Sequence, residues 1–203
     1  MTETRRVPVI GLAGGIGAGK SAVASALASA GCVISDSDRD AAEVLADPAV
    51  VETLRSWWGD DAVAPGGGID RSVIAARIFG DDDARRRLES LVHPAVHRLR
   101  EARFAAAPAD AVALVIDAPL LFEAGLDEVC DAVFFVDAPW ASRLARVTEH
   151  RGWDESELRR REAAQRPIEE KRRRATCVIE NDSTVAALES AVVAALRSVV
   201  DAR

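Results

Sequence analysis

Residues 7–21, VPVIGLAGGIGAGKS, constrain the fold of this 203-residue chain more than any other segment. Residues 7–13 are a short β-branched run that predicts a buried strand. The Ala-rich residues 20–31, which come after the glycines, carry apolar side chains at helical spacing. Gly14, Gly19, Lys20 and Ser21 fit the pattern G-x-x-x-x-G-K-[ST], in which backbone N–H groups converge on a phosphate. The sequence therefore predicts a strand, a phosphate-binding loop and a helix in that order.

This loop predicts nucleotide binding by a defined set of residues. Lys20 is expected to reach the β- and γ-phosphates, and the Ser21 hydroxyl is expected to hold Mg²⁺. The alternative is a chance glycine-rich turn, which average residue usage would give in on the order of one chain in a hundred. The predicted nucleotide-binding residues are Gly15, Ile16, Gly17, Ala18, Gly19, Lys20, Ser21 and Ala22. The motif alone leaves an ATPase, a GTPase, a switch and a kinase open.

Four further apolar runs predict strands that are covered on both faces, as in a parallel sheet. They are residues 32–36, 111–117, 131–138 and 176–181.

Helical patterns occupy most of the remaining chain. Residues 37–108 carry no strand signal, and Asp70 is a plausible N-cap after the turn at 64–68. Residues 139–175 are helical and Arg-rich with a break near 151–154, and an amphipathic helix closes the chain. This order predicts a doubly wound α/β fold of the P-loop NTPase class, resembling nucleotide kinases. We expect one domain, 1–203, with a core of 1–36, 109–140 and 176–203, a helical insertion at 37–108 and a helical flap at 141–175.

Composition limits the partners expected for this chain. The formal charge of −7 argues against nucleic-acid binding, which usually needs a net basic face. No apolar run approaches the roughly 20 residues of a membrane span, so we expect a cytoplasmic location and no membrane partner. We also expect a monomer. Cys32, Cys130 and Cys177 each lie beside an apolar strand-like stretch, which favours buried thiols over disulfides or zinc.

Three aspartates follow predicted strands and are candidates for the chemistry. Asp36 and Asp38 come just after the second strand, where one of them is able to accept a hydroxyl proton or help to hold the metal. Capping of the next helix by Asp36 or Ser35 is the equally weighted alternative. Asp117 ends the next strand, where a carboxylate orients Mg²⁺ or caps a turn.

A basic stretch between Arg143 and Arg174 carries eleven arginines and lysines. Most such charges lie on a solvated helix face, but a mobile flap of a phosphoryl-transfer enzyme also supplies arginines to the transferring group. Arg143, Arg151 and Lys171 are the strongest candidates because we expect them to lie near turns.

Two histidines, His93 and His97, lie four residues apart in the sequence HPAVH. This stretch lacks the glutamate of a zinc-hydrolase helix, so capping, packing or substrate contact is favoured over metal binding.

Taken in order, several stretches of the chain resemble the dephospho-coenzyme A kinase family. They are GLAGGIGAGKS, SDSDRDA, LVHPAV, IDAPLLFEAGL, VFFVDAP with RLARV and RG, AAQRPIEEKRRRA, and VIEND. The resemblance implies transfer of the γ-phosphoryl group of ATP to the 3′-hydroxyl of the dephospho-CoA ribose. It also implies that the insertion binds the acceptor and that the Arg-rich flap is a lid.

The same resemblance implies roles for individual residues. Asp38 matches the second aspartate of the family's D-x-D motif, the expected catalytic base, and catalysis is also expected of Lys20, Arg143 and Arg151. The metal ligands would be Ser21 and Asp117. The acceptor-binding residues would be Asp36, Asp38, His93, Pro119 and Leu120. The remaining alternatives are another small-molecule kinase, for a nucleoside, nucleotide or sugar acid, and a nucleotide-dependent switch without catalysis.

Overall fold

The computed structural model describes residues 6–202, and its strands form one five-stranded, all-parallel sheet. The sheet order is β2-β3-β1-β4-β5. The strands are β1 (Val9–Gly14), β2 (Val33–Asp36), β3 (Leu114–Asp117), β4 (Ala132–Asp137) and β5 (Cys177–Glu180). The continuous apolar runs of the sequence therefore form a parallel sheet, and the predicted P-loop α/β fold is confirmed.

Helices fill the connections between the strands. They are α1 (Lys20–Ser29), α2 (Ser37–Ala46), α3 (Pro48–Trp58), α4 (Arg71–Ile78), α5 (Asp82–Ala105), α6 (Trp140–Arg151), α7 (Glu155–Ala163), α8 (Ile168–Arg174) and α9 (Val185–Val200). Two 3₁₀ helices occupy Asp60–Ala62 and Leu126–Val129. No helix among residues 6–202 has both the length and the apolar character needed to cross a membrane.

The chain divides into two compact units. The first, here the core unit, comprises the described residues up to Asp36 and those from Ala107 onward. In it, Leu27 of α1 and Val192 of α9 form one buried cluster with Leu12 and Phe134 of the sheet. Because this cluster fixes α1 against β1, it also fixes the two ends of the glycine loop between them.

The second unit, here the helical unit, spans Ser37–Ala106 and contains α2 to α5. Its core is built around Leu54, which is fully buried. Asp70 is the N-cap of α4, as predicted, and its carboxylate accepts hydrogen bonds from the backbone N–H groups of Ser72 and Val73. The hydrogen bond from the Ser72 side chain is the main reason that the pKa of Asp70 is lowered.

The structure corrects several expectations about local boundaries. The helical residues directly after β2 form two helices, α2 and α3, because Asp47 caps a new helix in which Pro48 holds the first position. The flap has a second break between α7 and α8, and the third strand begins at Leu114 instead of residue 111.

The cysteines also differ from expectation. Cys32 is buried, and burial raises the pKa of its thiol to about 11. Cys130 and Cys177 are only half-buried, so the expectation of buried thiols is wrong for these two. Cys177 is the first residue of the edge strand β5, and Cys130 follows the 3₁₀ helix at Leu126–Val129.

Candidate phosphate-binding site

The glycine loop joins β1 to α1, and its shape depends on residues without a side chain. Gly17 and Gly19 have φ angles of +76° and +90°, a left-handed conformation that favours glycine. A Cβ on Gly14 would lie 2.8 Å from the carbonyl oxygen of Val136 on the neighbouring strand. The Ala18 N–H donates to the carbonyl of Gly15 at 3.0 Å, which closes the turn. The loop is therefore held in one conformation by close backbone approach.

Replacing Gly17 with alanine is expected to disable this loop. The new Cβ would lie 2.7 Å from the carbonyl oxygen of Arg143, and its φ angle would be strained as well. We expect the dissociation constant for ATP, measured by calorimetry, to rise by at least about tenfold, or 1.4 kcal/mol. Gly66→Ala is the matched control, because nothing lies within 4 Å of a Cβ there. Unchanged ATP binding by Gly17→Ala would contradict this account of the loop.

Lys20, the first residue of α1, forms an ion pair with Asp117 at the end of β3. Both side chains are mostly buried. In the sheet register Asp117 is paired with Leu12 of β1 on one side and with Asp36 of β2 on the other. The structure thus brings three predicted site residues, Lys20, Asp36 and Asp117, to the carboxyl end of the sheet, where open α/β sheets bind ligands.

The oxygen groups near the start of α1 fit a magnesium ion by their chemistry. Ser21 is exposed in the first turn of α1, and Asp117 is paired with Lys20, the residue before Ser21. No cluster of three or more metal-binding side chains occurs in the described part of the chain. Mg²⁺ is usually bound by one or two carboxylates together with substrate phosphates, so a sparse set of hard oxygen ligands is suitable. Magnesium binding by Ser21 and Asp117 stays a prediction.

Arg143 of α6 lies against the glycine loop. Its Nε donates to the carbonyl of Ala138 at 3.2 Å, and its Nη1 donates to the carbonyl of Ile16 at 3.3 Å. It also forms an ion pair with Glu162 of α7, and the residue is only 7% exposed. The flap helices α6 and α7 are therefore joined to each other and to the glycine loop through this one side chain.

Arg146, which is not among the residues predicted from the sequence, also contacts the loop. Its Nη1 donates to the carbonyls of Gly17 and Ala18, both at 3.1 Å. Its Nη2 donates to the carbonyl of Asn181 at 3.0 Å, and Asn181 in turn donates to the Ala18 carbonyl at 2.7 Å. The sequence does carry a signal for Arg146, because residues three apart on a helix share a face and Arg143 is a candidate.

The other two cationic candidates occupy different environments. Arg151 is exposed at the end of α6, stacked 4.9 Å from the centre of the Trp153 ring. It lies eight residues beyond Arg143, about 12 Å along the helix axis. Lys171 is the fourth residue of the seven in α8. It is 2% exposed and paired with Glu123, so its charge is already engaged inside the core unit.

The remaining candidates are accessible to solvent. Pro119 is half-buried and Leu120 is 46% exposed just after β3. In the helical unit, Asp38 is exposed in the first turn of α2. His93 and His97 are exposed on α5, which contains Pro94 in its interior. These positions are compatible with substrate contact, and the roles of the residues stay predictions.

The chain is similar to known proteins along most of its length. The profile of the dephospho-CoA kinase family matches residues 8–187. A Deinococcus radiodurans protein named dephospho-CoA kinase is 43% identical over 197 residues, covering 97% of this chain and 93% of that protein. A crystal structure of a Thermus thermophilus protein superposes with a TM-score of 0.83 at 36% identity, covering 96% of this chain and 98% of that one. A Campylobacter jejuni dephospho-CoA kinase superposes with a TM-score of 0.71 at 22% identity and similar coverage, a likeness of fold alone.

Proposed function

The chain belongs to the dephospho-CoA kinase family, and on that premise we propose that it transfers the γ-phosphoryl group of ATP to dephospho-CoA, giving coenzyme A. The accepting group is the 3′-hydroxyl of the ribose. The observation that carries the proposal is the glycine loop, which ends at Lys20 beside the carboxylate of Asp117 at the carboxyl end of the sheet. A phosphate-binding loop beside a carboxylate is the arrangement that a kinase requires to bind the phosphates of ATP and their metal ion.

The donor side of the reaction is assigned to the core unit. Lys20 exchanges Asp117 for the β- and γ-phosphate oxygens when ATP binds, and the backbone N–H groups of the loop bind the same phosphates. Ser21 and Asp117 would hold Mg²⁺, which when bound neutralises charge on the β- and γ-oxygens. Arg143 lies at the loop and lowers the energy of the negative charge that spreads over the transferring group.

On the acceptor side the key residue is Asp38, two residues after Asp36 at the end of β2. Its carboxylate takes the proton of the 3′-hydroxyl while the hydroxyl oxygen forms a bond to the γ-phosphorus. The bond between that phosphorus and the β,γ-bridging oxygen breaks, and ADP leaves with the electron pair. Asp36, His93, Pro119 and Leu120 are assigned to acceptor binding.

We assign the acceptor-binding function to the helical insertion, residues 37–108, and the lid function to residues 141–175. Two features support the lid. Its arginines contact the loop carbonyls, and α6, α7 and α8 are short helices separated by two breaks. Short segments joined by loops are the elements that close over substrates in such enzymes. We further propose a cytoplasmic monomer that binds no nucleic acid, in keeping with the net charge of −7.

Arg146 is expected to act through the loop carbonyls that it contacts. Arg146→Lys keeps the charge but replaces the two guanidinium nitrogens that reach the three carbonyls by a single ammonium group, and bonds to charged groups contribute about 1.5–3 kcal/mol each. The KM for ATP should rise by about tenfold, while the KM for dephospho-CoA changes by less than about twofold. Arg159→Lys, at an exposed arginine paired with Glu155, is the control. An unchanged KM for ATP would show that these contacts do not shape the ATP site.

A screen of acceptors tests the proposed substrate. The protein is incubated with ATP and Mg²⁺ and with dephospho-CoA, a nucleoside, a nucleotide, shikimate or gluconate, and each product is identified by mass spectrometry. Phosphorylation of dephospho-CoA alone is expected. Faster phosphorylation of another acceptor would show that the protein is a different small-molecule kinase. If no acceptor is phosphorylated, a nucleotide-dependent switch without catalysis would be favoured.

A further inference from the structure

A buried ion pair joins the segment after β3 to helix α8, and none of the roles above uses it. The Lys171 side chain is 2% exposed, and its Nζ lies 2.7 Å from Oε1 of Glu123. The same Nζ donates to Oε1 of Gln165 at 3.0 Å. Lysine is almost never fully buried without a partner, so its burial here depends on Glu123 and Gln165.

The Glu123 carboxylate also holds the backbone at the end of the flap. Its Oε1 accepts a hydrogen bond from the Arg166 N–H at 2.9 Å. Its Oε2 is buried and has no hydrogen-bond partner among residues 6–202. Burial alone would raise the pKa of Glu123, but the bonds from Lys171 and Arg166 outweigh it and the pKa is lowered. The Glu123 carboxylate is therefore ionised at neutral pH.

The backbone around Glu123 is packed into the core unit. Glu123 lies in a tight turn, in which the Ala124 N–H donates to the Leu120 carbonyl at 2.9 Å. Leu121 and Phe122 of the same turn are buried. The turn follows Asp117 directly along the chain, so Glu123 is fixed relative to the end of β3.

The start of α8 lies against the glycine loop. Ile168, the first residue of α8, is so close to Gly15 that its Cδ1 would be 3.1 Å from a Cβ placed there. Arg143 Nη1 would lie at the same distance from that Cβ. Ile168 comes two residues after Arg166 and three before Lys171, the two groups bound by Glu123. Holding those groups therefore fixes Ile168 against the loop.

We propose that Glu123 and Lys171 are positioning residues that anchor the returning end of the flap, residues 165–171, to the turn after β3. The anchor keeps Ile168 beside Gly15 and, together with the contacts of Arg143, holds this part of the flap in a fixed position against the glycine loop. A buried ion pair adds little net stability compared with apolar side chains of the same size, whereas it fixes geometry. The proposal rests on the kinase activity and on the lid assignment given above.

The test compares Glu123→Gln, Lys171→Met, the double variant of both, and the exposed control Glu155→Gln. The readouts are kcat, the KM for each substrate, and the folded fraction at the assay temperature by circular dichroism. The single variants should lower kcat by between about 10- and 100-fold, the scale of a misplacement remote from the chemistry. The KM for dephospho-CoA should change by less than about twofold, because the anchor acts on the glycine loop, which is assigned to ATP and not to the acceptor.

The double variant separates positioning from folding, since it leaves neither charge buried without its partner. It should remain as folded as the wild type and still show the lowered kcat. A double variant with wild-type kcat, or single variants whose activity falls only in proportion to their folded fraction, would overturn the proposal. Failure of the wild type itself to form CoA would instead reject the proposed function, so the two failures are distinguishable.

Discussion

Lys20→Met is expected to lower kcat/KM for ATP by roughly 10²- to 10³-fold, the loss typical of one preorganised charge-stabilising donor. Methionine has similar length and no charge, so the change removes the group that contacts the β- and γ-phosphates in the transition state. The measurement is a steady-state assay of CoA formation at varied ATP.

A control is needed because Lys20 is also paired with Asp117 in the core unit. Lys20→Arg keeps a positive charge beside Asp117, so it should fold like the wild type. Its activity should still fall, since a planar guanidinium does not reproduce the compact ammonium. A Lys20→Met protein that stays folded and keeps at least half of the wild-type kcat/KM would contradict the assigned role.

Asp38→Asn is expected to lower kcat by between about 10²- and 10⁴-fold, the usual contribution of a general base. Asparagine has nearly the same shape but cannot take the proton of the 3′-hydroxyl. The KM for ATP should change little, because ATP is assigned to the glycine loop. Rapid-quench measurement of the transfer step isolates this effect from product release.

The alternative for Asp38 is a structural role at the start of α2, where an acidic side chain interacts favourably with the helix dipole. In that case Asp38→Asn would lower the free energy of unfolding slightly and leave kcat unchanged. Asp61→Asn, at another exposed acidic residue of the helical unit, is the control and should have wild-type kcat. Asp38→Glu should recover part of the activity if a carboxylate is what the reaction needs.

The sequence predicted the parts of the fold that depend on local physics. The glycines at 17 and 19 have positive φ angles, and any side chain at 14 would meet the neighbouring strand, so the loop motif carries its own geometry. Asp70 was recognisable as an N-cap because its carboxylate bonds only to the next turn of the chain. The start of α3 at Asp47 depends on equally local interactions and was not predicted, although an aspartate before a proline is a common helix start.

The parts that were missed depend on contacts between distant segments. Arg146 meets the carbonyls of Gly17 and Ala18, which lie more than a hundred residues earlier in the chain. Lys171 is a sequence-based candidate for contact with the transferring group, but in the fold it is buried and paired with Glu123, 48 residues earlier. A charge run alone does not reveal which cation has a buried partner, because the partner is brought by the fold.

The most direct test of the central claim is the stoichiometry of the reaction with ATP, Mg²⁺ and dephospho-CoA. ADP and CoA are measured in the same samples over time, and the position of the new phosphate is determined by NMR. We predict one ADP for each CoA, the phosphate on the ribose 3′-hydroxyl, and almost no ADP when dephospho-CoA is left out. ADP release that is equally fast without the acceptor would contradict the assignment of this chain as a dephospho-CoA kinase.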